Sequence, residues 1–341
     1  MRAPTSVYAG MVLAAVLYAG SLTACGDDGE APPELTFTAV TFNSGTTEGL
    51  GHDDPPDDGY TSTHAATSDM WYGDGLAWIP AVNATRTFLA QVSPDVIVFQ
   101  EIFHADECAT IPSENHADFF CDGWTAGDAT VVSSILGADY QVACNLGKPD
   151  KCAAVHKRFG TFRGCASDFC LDGLDGGTVA NCGGGSRVGR GVIDLVAGGS
   201  ITLVNVHGTS GLTGEDVDCR RKQFEQVFVD LGDGAPAANG TANIVMGDLN
   251  TDPGRFASND ASAARFGDFA GDGKAFTYIS DVGEDAPPSY AGAVNIDHVV
   301  SDVYRGNCWV AGVSEGHPDV TDAIYFDHKP IVCTVEGDLP Q

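Results

Sequence analysis

Ile244-Val245-Met246-Gly247-Asp248-Leu249-Asn250 reads as a short buried strand that stops in a polar turn. Asp248 and Asn250 have the same parity, so both leave the strand end on one face. Alone, an Asp or Asn after a strand is ordinarily a turn residue. Working outward, the same interruption recurs. Leu35–Phe42 ends in Asn43, and Val96-Ile97-Val98-Phe99 ends in Gln100-Glu101. Val204-Asn205-Val206-His207 alternates, which puts Asn205 and His207 on one strand face. Asp297 follows Ile296 and precedes Val299-Val300, where an unpaired carboxylate is costly. Phe326-Asp327-His328-Lys329-Pro330 opens the last apolar run. Two histidines and four carboxylates, all at the rims of apolar strands, point to one shared site at the strand ends of a layered fold.

The surrounding chain supports layers. Further short apolar runs lie at Gly191–Ala197 and Ile201–Val206, joined by Gly198-Gly199, a hairpin signal, and at Pro330–Val335. Helices are predicted over Ala81–Val92, stopped by Ser93-Pro94, and over Val217–Leu231, with Phe224, Val227, Phe228 and Leu231 on one face. Many strands with few helices give an α/β (α+β) sandwich. No linker or repeat interrupts residues 35–341, which read as one domain. Two stretches, about 45–80 and 104–190, break the strand-turn rhythm and are expected to be insertions near the functional rim.

Composition narrows the function classes. The 341 residues carry 17 Lys+Arg against 47 Asp+Glu, a formal charge of −30, with 43% apolar residues. That apolar share excludes a disordered chain, and the absence of an 18-residue apolar run excludes a membrane-spanning helix in the body of the chain. Binding nucleic acid by bulk charge is excluded, but a local basic patch is not, because salt confines charge effects to roughly 10 Å. Residues 1–24 read as a signal peptide. Leu22-Thr23-Ala24-Cys25-Gly26 resembles a bacterial lipobox, making Cys25 the lipidated residue and the stretch to residue 34 a tether. The alternative is cleavage near Ala24 and secretion. Export to the outer membrane or cell surface, or secretion, is therefore expected. Ten cysteines remain, an even number that suggests disulfides in an exported protein. Cys308 and Cys333 are expected to pair, since both sit in short apolar runs that suit neighbouring strands. No CxxC occurs, which argues against structural zinc.

Carboxylates, amides and histidines of this kind suit metal-assisted phosphoester hydrolysis. A hard divalent ion takes oxygen ligands, and a histidine tuned by an Asp moves a proton or contacts phosphate. The order Asn43, Gln100-Glu101, Asn205-Val206-His207, Gly247-Asp248-Leu249-Asn250, Ile296-Asp297, Asp327-His328 resembles the endonuclease/exonuclease/phosphatase superfamily over residues 35–336. That resemblance implies a deoxyribonuclease I-like, four-layer sandwich of two mixed β-sheets flanked by helices. It implies Mg²⁺, or Mn²⁺, held by Glu101 with Asn43 and Asp327. It gives Asp248 the attacking water, Asn250 the phosphoryl oxygens, and His328, oriented by Asp297, a phosphoryl contact or base role. His207 becomes a general acid, with Asn205 supporting its strand end. The interval from Asn43 to Glu101 is longer than the family pattern, and no carboxylate partner for His207 is legible.

Substrate is the open part. Residues 148–190 hold seven bases against four acids in an acidic chain. Lys157, Arg158 and Arg190 are the candidates for gripping phosphates, the alternative being pairs with nearby acidic surface. Arg220-Arg221-Lys222 is expected to be a solvated face. Met70-Trp71-Tyr72 and Leu76-Ala77-Trp78-Ile79 are the only candidates for touching lipid, with burial the expected outcome. Asp53-Asp54, Asp57-Asp58 and Asp168–Asp175 are candidates for structural Ca²⁺, loop acids being the default. The expectation is a monomeric, DNase-like phosphodiesterase acting on DNA or RNA. Phospholipase C or sphingomyelinase-like action on head groups, a phosphatase, and a surface-binding lipoprotein that only retains the fold are the alternatives.

Overall fold

In the computed structural model the described residues are 34–46, 52–53, 58–321 and 323–340. The leader, Cys25 and its tether up to residue 33, Asp54 and Asp57 lie outside them. The strands are β1 Glu34–Asn43, β2 Val96–Gln100, β3 Tyr140–Cys144, β4 Cys152–His156, β5 Gly160–Phe162, β6 Phe169–Cys170, β7 Asp175–Thr178, β8 Ser186–Leu195, β9 Ser200–His207, β10 Asn243–Asp248, β11 Thr277–Tyr278, β12 Asp297–Ser301, β13 Arg305–Val310 and β14 Ile331–Asp338. One sheet runs β13-β14-β1-β2-β4-β3-β6; the other runs β11-β12-β10-β9-β8-β5, with β7 also on β8. Both are mixed: β1–β2 and β9–β10 are parallel, while β2–β4, β8–β9 and β10–β12 are antiparallel.

Side-chain parity assembles the layers. Phe37, Ala39, Val96, Val98, Ile201, Leu203, Ile244, Met246 and Val299 form the core between the sheets. Their neighbours of opposite parity, Val40, Phe42, Ile97 and Phe99, pack outward with Val82, Phe88 and Leu89 of the helix Ile79–Val92. Val204, Val206, Val245 and Val300 pack outward on the other side against Phe224, Val227 and Phe266 of the helices Gly214–Phe228 and Ala261–Gly267. The result is helices, sheet, sheet, helices. Thr213 caps the helix Gly214–Phe228 reciprocally with Asp216, so it starts three residues before the apolar pattern does.

The stretch 104–190 is not only loops: from Tyr140 on it supplies β3 to β7 and the first residues of β8 to both sheets. Apart from β4, these strands are too short for a hydrophobic reading. The disulfide Cys144–Cys152 ties β3 to β4, and Cys308–Cys333 ties β13 to β14 as expected. Cys108–Cys121, Cys165–Cys170 and Cys182–Cys219 account for the other cysteines beyond Cys25. Residues 60–80 add Tyr60, Tyr72 and Trp78 to the outer core of the first sheet, while Met70 is exposed.

Arg220 corrects the expected solvated face. It is fully buried, donating to Ser262, to the carbonyls of Thr209 and Gly211, and to Asp260 at 3.0 Å. Arg221 and Lys222 do lie outward, paired with Asp218 and Glu225. Asp168 pairs with Lys157 and Asp175 with Arg190, so their charges are answered by different cations. Among the described residues, no helix is long and apolar enough to cross a membrane.

Candidate active site

The inward parity that fills the core with Ala39, Val98, Leu203, Met246 and Val299 continues for one or two more steps at one end of the sheets. There it presents Asn43, Gln100, His207, Asp248 and Asp297. The registers make this end common to all of them: Asn43 pairs with Gln100, Asp248 with His207 on one side and with Asp297 on the other. His328 arrives from the segment just before β14, which runs antiparallel to β1. Asn205 lies one inward step below and ties the sheets together. Its Nδ2 donates to the carbonyls of Phe99 and Cys152, and its Oδ1 accepts from Gln100 Nε2 at 2.7 Å.

Asp248 is the hub. Its Oδ2 accepts from Asn43 Nδ2 at 3.1 Å and Asn250 Nδ2 at 2.9 Å, and its Oδ1 accepts from the Asn250 backbone N–H at 2.7 Å. Nε2 of His207 stands 3.6 Å from Asp248 and 3.6 Å from Glu101, which supplies the carboxylate partners the sequence did not reveal. Nε2 of His328 stands 3.8 Å from Asp248. Nδ1 of His328 donates to Asp297 Oδ2 at 2.8 Å, and Ser289 Oγ donates to the same oxygen at 2.7 Å.

The backbone is held in costly conformations here. Glu101 and Asn250 have φ of 57° and 51°, left-handed values uncommon for non-glycine residues. Such outliers gather at functional sites, where surroundings over-determine them. For Glu101 the surroundings include the 45–80 stretch: Leu76 N–H donates to the Glu101 carbonyl at 2.9 Å, and a Cβ at Gly45 would overlap the Glu101 carboxylate. That stretch is a buttress for Glu101.

Burial and neighbours divide the protons. Burial, with Asp297 adding, pushes Asp248 up to about 7 against the pull of His328. Burial, with Asp327 adding, likewise raises Glu101 to about 7. Burial also raises Asp327. For His328 burial opposes the charge, but Asp297, Asp248 and Asp327 prevail and lift it to about 10. His207 goes the other way. Burial, then Lys151 and Arg187, hold it well below its ordinary value, so His207 is neutral where His328 is charged.

Asp248, Asp297 and His328 each present a donor atom within 4.8 Å of the others, the one such group among the described residues. Half-buried Glu101 and buried Asp327 add two more carboxylates that raise one another. Asp327 Oδ1 is buried with no hydrogen-bond partner. Hard oxygen donors, crowded charge and an orphaned oxygen fit a divalent cation.

Three expected substrate contacts do not belong here. Because β4 runs antiparallel to β2, Lys157 and Arg158, just past its end, lie beside Asp95 at the opposite end of the sheet. Lys157 pairs with Asp168 and Arg158 with Asp95. Arg190 pairs with Val204, on the outer parity of β9, and its guanidinium joins Asp175 and Asp233. The cations that do act on the site are Lys151, Lys148 and Arg187. Lys151 is buried, 2.9 Å from Asp150; burial, against the pull of Asp150, lowers it to about 8. It starts the run of β4 as Asn43 ends that of β1, so the strand-rim rule applied to strand beginnings would have found it. Ser289 left no such signal, because it follows Pro287-Pro288 rather than interrupting an apolar run.

No family model matches the sequence, and no curated protein does. Solved structures do resemble the fold. ANGEL2, a 2′,3′-cyclic phosphatase, superposes with a TM-score of 0.54 at 9% identity, covering 90% of this chain and 97% of that one. An endonuclease/exonuclease/phosphatase from Beutenbergia cavernae DSM 12333 gives 0.50 at 12% identity, covering 89% and 72%. A humanized TDP2 from D. rerio gives 0.49 at 14%, covering 88% and 98%. The fold of this chain is thus the deoxyribonuclease I-like sandwich found in endonuclease/exonuclease/phosphatase proteins.

Proposed function

We propose that this protein is a divalent-metal-dependent phosphodiesterase of the endonuclease type, acting on nucleic-acid or nucleotide phosphoesters. The observation that carries the reading is Asp248, buried within 4 Å of Nε2 of both His207 and His328 and steered by two amides. Glu101, with Asn43 and Asp327, would hold the cation, Mg²⁺ or Mn²⁺, which neutralises phosphoryl charge when bound.

The residues divide the remaining work. Asp248, poised near neutrality, accepts a proton from the attacking water, whose orientation Asn43 and Asn250 fix through the same carboxylate. His328 keeps its proton on Nδ1 against Asp297, leaving Nε2–H to donate to a phosphoryl oxygen. His207 is neutral before substrate arrives. The negative charge of an arriving phosphate beside it favours its protonated form, from which it can protonate the leaving oxygen. Lys148, Lys151 and Arg187 bring positive charge to this rim of an otherwise acidic molecule.

Hydrolysis of bis(p-nitrophenyl) phosphate with Mg²⁺ or Mn²⁺ tests this. Turnover abolished by chelator and by Glu101→Gln supports the reading; metal-independent turnover, or none, contradicts it. We also propose export, with a lipid on Cys25, and action as a monomer. Five disulfides support an oxidising destination. Palmitate labelling that persists in Cys25→Ala would remove the anchor from the proposal.

A further inference from the structure

The flanks of the site are unlike. Arg187 Nη1 and Asn250 Nδ2 both donate to the Gly208 carbonyl, at 3.2 and 3.0 Å. On the Arg187 flank lie Lys148 and Lys151. On the Asn250 flank a cleft of about 600 Å³ opens, walled by Leu212, Val217, Phe256, Tyr290, Val294 and Ile296. It is continuous with the site: Asn250 lines both, and the Tyr290 ring lies 4.7 Å from that of His328. No Lys or Arg lines it. Its one acid, Asp260, is already engaged by Arg220, Thr251 and Ser262.

We propose that this cleft receives a planar heteroaromatic group, of nucleobase type, carried by the substrate next to the reacting phosphate. The assignment rests on the phosphodiesterase reading and names the substituent. A second phosphate has no cation to meet there, so the cleft suits an uncharged group. Phe256 and Tyr290 line it with aromatic rings, and base–aromatic stacking is tolerant of base identity. The amide of Asn259 stands at the same walls for a polar ring edge. A long acyl chain in a bilayer is the poorer occupant. Leu212, 92% exposed, stands at the lip, but the other exposed large apolar side chains, such as Met70, Leu146 and Val196, belong to other segments and none lines the cleft.

Calorimetric titration of the whole chain with Mg²⁺ decides it. The probes are adenosine 5′-monophosphate, ribose 5-phosphate and octyl phosphate. The nucleotide should bind at least about fivefold more tightly than ribose 5-phosphate, as one stacked base provides. Leu212→Ser, at an exposed side chain, should reduce that ratio, and Phe256→Ala should bring it within twofold without weakening ribose 5-phosphate. Equal binding of all three, or tighter binding of octyl phosphate, overturns the cleft assignment alone. No binding of any phosphate overturns the phosphodiesterase reading with it. A 5′-phosphorylated tetranucleotide in the same titration separates the sources: binding tighter than the mononucleotide identifies a strand, and equal binding a free nucleotide.

Discussion

The same strands end in two different ways. At one end of the sheets Glu101, His207, Asp248, Asp297 and His328 are turned inward, where burial has shifted the protons of several of them. At the other end Arg158 meets Asp95 at 3.0 Å and Lys157 meets Asp168, both pairs open to water on at least one side. Exposed pairs are worth little and shift little. Buried like charges destabilise a fold and need a reason to persist. Charge placed where it costs most is therefore the better guide to function than charge that is merely abundant, and the basic residues of the far end illustrate the error.

The largest effect that would sharpen this contrast is on turnover. Asp248→Asn should lower hydrolysis by at least ~10²-fold, because it removes the proton acceptor. Its fold should be kept with only a small loss of melting temperature, since the amide relieves a buried charge but turns an NH2 toward the donors from Asn43 and Asn250. A large loss of stability would make Asp248 a structural residue and break the comparison.

Next comes Arg220, whose buried pair with Asp260 holds the segment that follows His207. Arg220→Ala leaves Asp260 without its cation and should cost about 3–5 kcal/mol in denaturant unfolding. Arg158→Ala, at the exposed end, should cost at most about 1 kcal/mol. Similar costs for the two would erase the distinction between the ends.

Disulfide reduction acts through the unfolded chain rather than through either end. Each bridge contributes about 2–4 kcal/mol, so reduction should lower the melting temperature well beyond any single exposed pair. Free thiols at these positions in the native protein, counted by mass, would contradict this.

The pH dependence is the gentlest test. Activity should rise between about pH 6 and 8 as Asp248 and Glu101 lose protons, and fall again toward about 10 as His328 loses its own. More metal should move the acid limb lower. Stability has the matching sign. His328 holds its proton more tightly folded than unfolded, so its contribution is full below its ordinary value of 6.5 and is lost as pH rises through about 10. A melting temperature flat from pH 7 to 10 in the parent chain and in His328→Gln alike would remove that contribution.

Much of this was legible in the sequence because parity is local. Asn43, Asn205, His207, Asp248 and Asp297 each declare themselves by interrupting an apolar alternation, and one face of each strand then carries them to one place. Register and strand direction are not local. Nothing in Cys152–His156 says that it runs against Val96–Gln100, and that single fact sends Lys157 and Arg158 to the far end while bringing Lys151 to the site. Arg220 was misread for a related reason. It sits in a charged triplet, but the helix turns it toward Ser262 and Asp260, which are over forty residues away or close to it. The short strand β3 was hidden because its pairing is fixed by a partner strand and a disulfide rather than by bulk.

One assay puts both ends side by side: Mg²⁺-dependent nicking of supercoiled plasmid by the parent chain, by Asp248→Asn and by a Lys157→Ala/Arg158→Ala double variant, with melting curves for all three. The account requires chelator-sensitive nicking in the parent, the same within twofold in the double variant, and none in a folded Asp248→Asn. Nicking retained by folded Asp248→Asn, or lost with the two distant cations, would contradict it.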